Sequence, residues 1–177
     1  MGRNRGILWI TLLAITLAVQ SHAGAQTMPE HQHAKAAQST SLVLTIDGHE
    51  NTLTGPELQA LLQKTITVHN EHTKMDETYT GVALSDLLAK YGAPFDKESE
   101  KKIFHSYLRM EGTDHYYVIY SGSEVESAIH NADVIVATVL NGKPLGDDGQ
   151  IKLVASAEKR PARWVRNLSA ITLVTVP

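Results

Sequence analysis

No cysteine occurs anywhere in the 177 residues. The chain therefore forms no disulfide, offers no thiol nucleophile and presents no thiolate to an iron–sulfur cluster or a soft metal. A fold without such cross-links must be held by its apolar core. A basic excess is lacking too: 16 Lys and Arg stand against 19 Asp and Glu, a net charge of −3 with His neutral. That balance argues against nucleic acid as a partner. One long apolar run is present, Ile7 to Val19, and its about 13 residues fall short of the roughly 20 that a spanning helix needs. There is no phosphate-binding Gly loop, because Gly142, Gly146 and Gly149 have turn spacing. No Ser-His-Asp order is recognisable, and Ser85 and Asp86 read as first-turn helix residues. Internal repeats and low-complexity tracts are absent as well.

What is present begins with an address. Arg3 and Arg5, the apolar run, and the small-residue site Ala23-Gly24-Ala25 have the three-part pattern of a secretory signal peptide, residues 1–25. Its removal is expected to leave 152 residues, enough for one domain, and 14 basic against 19 acidic residues, a net charge near −5. The product is expected in a periplasm or outside the cell, with no membrane association after cleavage. Residues 26–40 are polar and aperiodic and read as a flexible leader; His31 and His33 lie in it. The domain is expected to span 41–177.

Leu42, Leu44 and Ile46 alternate with Ser41, Val43 and Thr45 and predict a strand, followed by an Asp47-Gly48 turn. Thr54-Gly55-Pro56-Glu57 has capping-box spacing and predicts a short helix to about Gln63. Thr65 to Val68 is β-branched and reads as a strand. Leu84, Leu87, Leu88 and Tyr91 line a helical face that stops at Gly92, with Pro94 beyond. Ile103–Met110 and Tyr116–Tyr120 read as strands joined by a hairpin at 111–114. Ser123 and Glu126 have the spacing to cap a helix running through Val125, Ala128 and Ile129. Val134–Leu140 reads as a central strand, Asn141-Gly142 as a turn, and Ile151–Val154 and Ala170–Val176 as the last strands. Strands and short helices mixed without regular alternation imply an α+β fold on a mixed β-sheet.

Four junctions resemble one family. Tyr79-Thr80-Gly81-Val82 leading into Leu87-Leu88, Asp114-His115-Tyr116 followed by Glu124-Val125, Asn141-Gly142-Lys143-Pro144-Leu145 with Ile151 to Val154, and Lys159-Arg160-Pro161-Ala162-Arg163-Trp164-Val165-Arg166 are similar, in order, to segments of the oxidoreductase molybdopterin-binding domain. The likeness covers roughly residues 64–177, and His115 stands where the family usually has Gly. It implies a compact mixed-sheet, sulfite oxidase molybdopterin-domain-like fold in a small exported form. In catalytic members a cysteine after the strand that precedes the Gly-Val helix ligates molybdenum. Here that stretch is Ile66-Thr67-Val68-His69-Asn70-Glu71-His72, so the chain has no protein thiolate for the metal.

Several residues carry candidate chemistry. His69 and His72 have H-x-x-H spacing and, with Asn70 and Glu71 between them, offer N and O donors for zinc or copper; exposed polar residues at a strand end would give the same pattern. Arg160, Arg163 and Arg166, with Lys159, present donors suited to phosphate or carboxylate, and in the family such residues receive the pterin phosphate; a solvated or locally paired surface is the alternative. Trp164 reads as core or pocket wall. Tyr107, Tyr116, Tyr117 and Tyr120 sit on adjacent strands and either stack a planar ligand or pack across strands. The expected cofactor-binding set is His69, Asn70, His72, Arg160, Arg163 and Arg166, with His69 and His72 also the metal candidates and no catalytic residue assigned. The leading expectation is a non-catalytic exported binding module for a small anionic or planar ligand or another exported protein. The alternatives are an oxidoreductase that binds molybdopterin without a cysteine ligand, and a His-based metal-binding protein.

Overall fold

The structure, a computed structural model, describes residues 37–93 and 100–177. The expected signal peptide, the expected leader up to residue 36 with His31 and His33, and Pro94 lie outside the described residues. Packing is already established at Ser39, which is buried, donates its N–H to Asn167 Oδ1 (3.2 Å) and donates its hydroxyl to the Ile151 carbonyl.

Two five-stranded sheets build the fold. The first has the order β2-β1-β10-β5-β6, with β1 Ser41–Ile46, β2 His49–Thr54, β5 Ser106–Gly112, β6 Tyr117–Ser121 and β10 Leu168–Thr175. β1 and β10 are parallel and the other neighbours antiparallel, so the sheet is mixed. The second runs β3-β4-β7-β8, with β9 also paired to β7; these are β3 Gln63–Asn70, β4 Met75–Ala83, β7 Val134–Leu140, β8 Lys143–Pro144 and β9 Lys152–Ala155. Helices are short: α1 Gly55–Gln59, α2 Leu84–Lys90, α3 Glu100–Ile103 and α4 Gly122–Val125. The strand period explains the core. Leu42, Leu44 and Ile46 face inward with Leu108 and Met110 of β5 and Ile171 and Leu173 of β10, and they join Ile66, Val68, Val136 and Leu153 of the other sheet in one apolar cluster. Each fully buried leucine contributes about 2 kcal/mol by leaving water, and this cluster replaces the covalent ties the chain lacks. Among the described residues no helix is long and apolar enough to cross a membrane.

Several elements differ from the sequence expectation. The first helix has its Thr54–Glu57 capping box but ends at Gln59; Gln63 already begins β3, and its amide donates back to the carbonyls of Leu58 and Leu61. Ser123 and Glu126 cap nothing. The box is Ser121 and Glu124, two residues earlier, and the helix is one turn that ends at Val125. The register is set by Gly122, which lies so near Ile103 that a Cβ would stand 2.4 Å from its carbonyl oxygen. Ile103 ends α3, and the strand starts at Ser106. Strands β2 and β4 have no counterpart in the sequence reading. β2, HENTLT, is a polar edge strand. β4 turns Glu77, Tyr79 and Gly81 inward, so its buried face is not apolar along its whole length. The β5–β6 connection holds His115 at φ +63°, a left-handed conformation that favours glycine.

Candidate functional site

A cleft opens between the β3–β4 turn (residues 71–74) and the segment from Pro161 to Arg166. Its volume is about 410 Å³, and it is lined by Asn70, His72, Thr73, Glu77, Tyr79, Leu140, Asp148, Lys152, Pro161, Trp164 and Arg166. A shallower groove of about 440 Å³, lined by Glu71, His72, Lys74, Arg160, Pro161 and Ala162, shares His72 and Pro161 with it. The two form one depression whose rim carries Arg160 and Arg166.

The floor is a buried polar chain. Glu77, on β4, accepts Tyr79 Oη (2.7 Å) and Asn70 Nδ2 (2.9 Å) at one carboxylate oxygen and Thr73 Oγ1 (3.1 Å) at the other. Asn70 in turn accepts the Thr73 and His72 backbone N–H groups, which fixes the turn. Lys152, on β9, donates to Tyr79 Oη (2.9 Å) and Asp148 Oδ2 (2.5 Å). Its ammonium lies 4.8 Å from the Tyr79 ring centre and 5.2 Å from that of Trp164. The two rings meet edge to face at 5.7 Å, and the indole N–H donates to Ala155 O (3.0 Å). Arg166 is exposed, its Nε 3.9 Å from Asp148.

Burial pushes the Glu77 carboxyl up, but the hydrogen bonds from Tyr79, Asn70 and Thr73, with the Lys152 charge, outweigh it and hold the group below the ordinary range. Burial, then the Glu77 bond, drives the Tyr79 phenol well above its usual value. The floor is thus Glu77 carboxylate, neutral Tyr79 and a cation–carboxylate pair.

Of the sequence-derived residues, Asn70, His72 and Arg166 line the cleft, and Arg160 the adjoining groove. His69 does not join them. Alternation along β3 turns Asn70 inward and His69 outward, where its Nδ1 lies 2.8 Å from Asp76 Oδ1. His69 and His72 therefore do not converge as the H-x-x-H spacing suggested, because the segment is a strand end and turn. Among the described residues no group of three or more His, Asp or Glu could hold a metal. Arg163 is also turned away. It bridges Glu124 (3.0 Å) and Glu158 and stacks 4.2 Å over Tyr120. Burial opposes its charge, but those two carboxylates more than compensate. Tyr120 and the exposed Tyr107 and Tyr117 occupy opposite faces of their sheet, while the Tyr116 and Tyr120 hydroxyls donate to the carbonyls of Ala162 and Arg163, so the four tyrosines make no common platform. Glu77, Asp148 and Lys152 were not singled out for the site by sequence reasoning. The signal available was a Glu and a Lys on strands that otherwise read as core, with an Asp in the turn four residues before that Lys.

The donor set is hard or borderline: amide, imidazole, carboxylate, phenol and amine. Asn70, Glu77 and Lys152 are already engaged with one another or with Tyr79, Thr73 and Asp148. Nothing here matches a thiolate-anchored metal.

The description of the oxidoreductase molybdopterin binding domain matches residues 14–175, which extends the likeness upstream of residue 64. No curated protein matches the sequence. Among solved structures, the sulfane dehydrogenase SoxCD from Paracoccus pantotrophus is similar, with 19% identity and a TM-score of 0.58 over 77% of this chain and 38% of that one. The chain therefore spans little more than a third of that protein's length, and at this identity the likeness concerns the fold.

Proposed function

The chain belongs to the oxidoreductase molybdopterin-binding domain family, and we propose that within it this protein is a non-catalytic binding module whose cleft takes a small anionic ligand. The family's cofactor is a pterin whose molybdenum is anchored by a cysteine in catalytic members, and the residues here do not fit that anchor. The cleft offers no sulfur, its lining includes the carboxylates Glu77 and Asp148, and its inner polar groups satisfy each other. No reaction step is assigned to it.

The observation that carries the reading is the pairing of an exposed cationic rim with a cleft wall of Trp164. Arg166 and Arg160 are solvent-facing, with no ion pair at hydrogen-bonding distance among the described residues, and His72 stands between the two depressions. Guanidinium forks bind carboxylate, sulfate or phosphate in a bidentate manner. Trp164 and Tyr79 supply a rigid apolar wall beside them. Export of the chain is part of the same reading and rests on the N-terminal pattern.

The test is metal and pterin analysis of the exported protein, joined to calorimetric titration with inorganic phosphate and sulfate. The reading expects molybdenum far below one per chain, anion binding that weakens with salt, and loss of most of that binding in an Arg160→Ala/Arg166→Ala variant. Molybdenum at one per chain with redox turnover would overturn the non-catalytic assignment. Zinc or copper at one per chain, lost in His72→Ala, would move the function to metal carriage.

A further inference from the structure

We propose that strand β6 is a dimerisation edge, pairing antiparallel with β6 of a second copy so that the first sheet continues across a two-fold axis. The proposal rests on no part of the cleft. Five strands bound the two sheets, and four of them are blocked; the outer edge of β9 is already taken by Val165, which exchanges backbone hydrogen bonds with Leu153. β2 carries His49 and Glu50, β3 carries Lys64 and His69, and β8 is Lys143-Pro144. Charges and proline on an edge are the usual guard against strand addition. β6 reads Tyr117-Val118-Ile119-Tyr120-Ser121, with no charge, no proline and no bulge against β5. Its outward side chains Tyr117 and Ile119 are about half exposed.

The hydrogen-bond phase of that edge follows from the hairpin. Gly112 N–H donates to Tyr116 O, and the β5–β6 register continues through Met110 opposite Val118 and Leu108 opposite Tyr120. In an antiparallel ladder bonded and non-bonded pairs alternate. Val118 and Tyr120 therefore bond to β5, while Tyr117 and Ile119 aim their N–H and C=O groups away from it. Ser121 N–H, on the same side, is taken by Glu124 in the capping box. The free edge is thus two donors and two acceptors, on Tyr117 and Ile119, and nothing among the described residues pairs with it.

One register satisfies all of them. With Val118 facing the partner's Val118 across the axis, Tyr117 of each copy opposes Ile119 of the other and four backbone hydrogen bonds form. The same register makes two aromatic–β-branched pairs on the outer face, a favoured cross-strand combination. Arg109 and Glu111 flank these residues on β5, Arg109 stacked 4.3 Å over Tyr117. Each row across the axis then runs Glu111, Tyr117, Ile119, Arg109, with opposite charges at its ends and no like-charge contact. A second copy fits this edge because the edge is complementary to itself.

The experiment is sedimentation equilibrium of the whole exported chain over a concentration series, with variants. The mass is expected to rise from one chain toward two. In Ile119→Pro it is expected to stay at one, because that N–H serves only the free edge and the β5 ladder does not use it. Should Ile119→Pro fail to fold by circular dichroism, Ile119→Lys decides, with the same expected loss of the dimer. The cysteine-free background permits a register test. Tyr117→Cys/Ile119→Cys is expected to cross-link copies on mild oxidation, since bonded pairs lie about 5.5 Å apart at Cα, within disulfide reach. Ile119→Cys alone is expected not to. A single-chain mass up to about 1 mM, a dimer that survives both Ile119 variants, or equal cross-linking by the single and double cysteine variants would each overturn the proposal.

Discussion

Replacing Glu77 by Gln probes the polar floor of the cleft more directly than any other change. The carboxylate accepts three hydrogen bonds, from Tyr79, Asn70 and Thr73, and is almost fully buried. Bonds to a charged acceptor contribute about 1.5–3 kcal/mol each and neutral ones about 0.5–1.5 kcal/mol. In Glu77→Gln the amide nitrogen is best placed toward Thr73, whose hydroxyl can turn and accept it. The amide oxygen then keeps Tyr79 and Asn70 as weaker partners. Three bonds weakened by about 1 kcal/mol each, less the relief of no longer burying a charge, leave a net loss of about 1–2 kcal/mol at neutral pH. The pH dependence has a definite sign. The folded carboxyl titrates below its ordinary value of 4.5, so the native state holds the ionised form better than the unfolded chain does. Its stabilisation is fully present above the unfolded value and disappears as pH falls through the lower, folded value. Wild type should therefore lose its advantage over Glu77→Gln as the pH drops below about 4.5. Urea unfolding followed by tryptophan fluorescence at several pH values between 7 and 3 measures this, with the slope m unchanged between the proteins. A gap that stays constant or widens toward pH 3 would refute the reasoning.

Further expectations follow from the same geometry. In Gly81→Ala the new Cβ would stand 2.1 Å from Val136 O and 2.5 Å from Ala137 Cα, both backbone atoms of β7; a loss of about 3 kcal/mol or more is expected, read as a lower melting temperature, and an unchanged melt would count against the close β4–β7 approach. Lys152→Met leaves Asp148 short of its partner and should cost about 2–4 kcal/mol, measured by the urea midpoint. Arg163→Ala removes two partly exposed ion pairs and the Tyr120 stack, so about 1–2 kcal/mol of stability should go after allowance for solvent screening, with phosphate binding in the cleft retained. Arg166→Ala should do the reverse: stability within about 0.5 kcal/mol and weaker phosphate binding by calorimetry.

Much of the architecture is visible in the chain because its apolar residues keep a period of two. The inward rows of β1 and β10 are apolar, so Leu42, Leu44, Ile171 and Leu173 announce both strand and core, while β7 is recognised by the unbroken apolar run Val134 to Ala137, buried on both faces. β4 escapes for the opposite reason. Its inward residues include Glu77 and Tyr79, which floor the cleft, and a strand whose buried face is polar has no apolar alternation to read. The edge strand β2 has too few buried residues to carry the pattern. The second capping box failed because Ser121-Gly122-Ser123-Glu124-Val125-Glu126 contains the motif twice, and only the contact of Gly122 with Ile103 selects one register.

Composition alone determined the chemistry the site is denied, since no arrangement of the backbone can create a thiolate from a sequence without cysteine. Composition also placed the basic segment and the imidazoles, but not their directions. Whether Arg163 or Arg166 meets the cleft depends on Glu124, which lies 39 residues away in the chain, and on Glu158, which together hold the Arg163 guanidinium on the far side. Whether His69 or His72 faces inward depends on where β3 ends and its turn begins. Such choices are made by non-local partners and by strand parity, and they exist only once the sheets have paired.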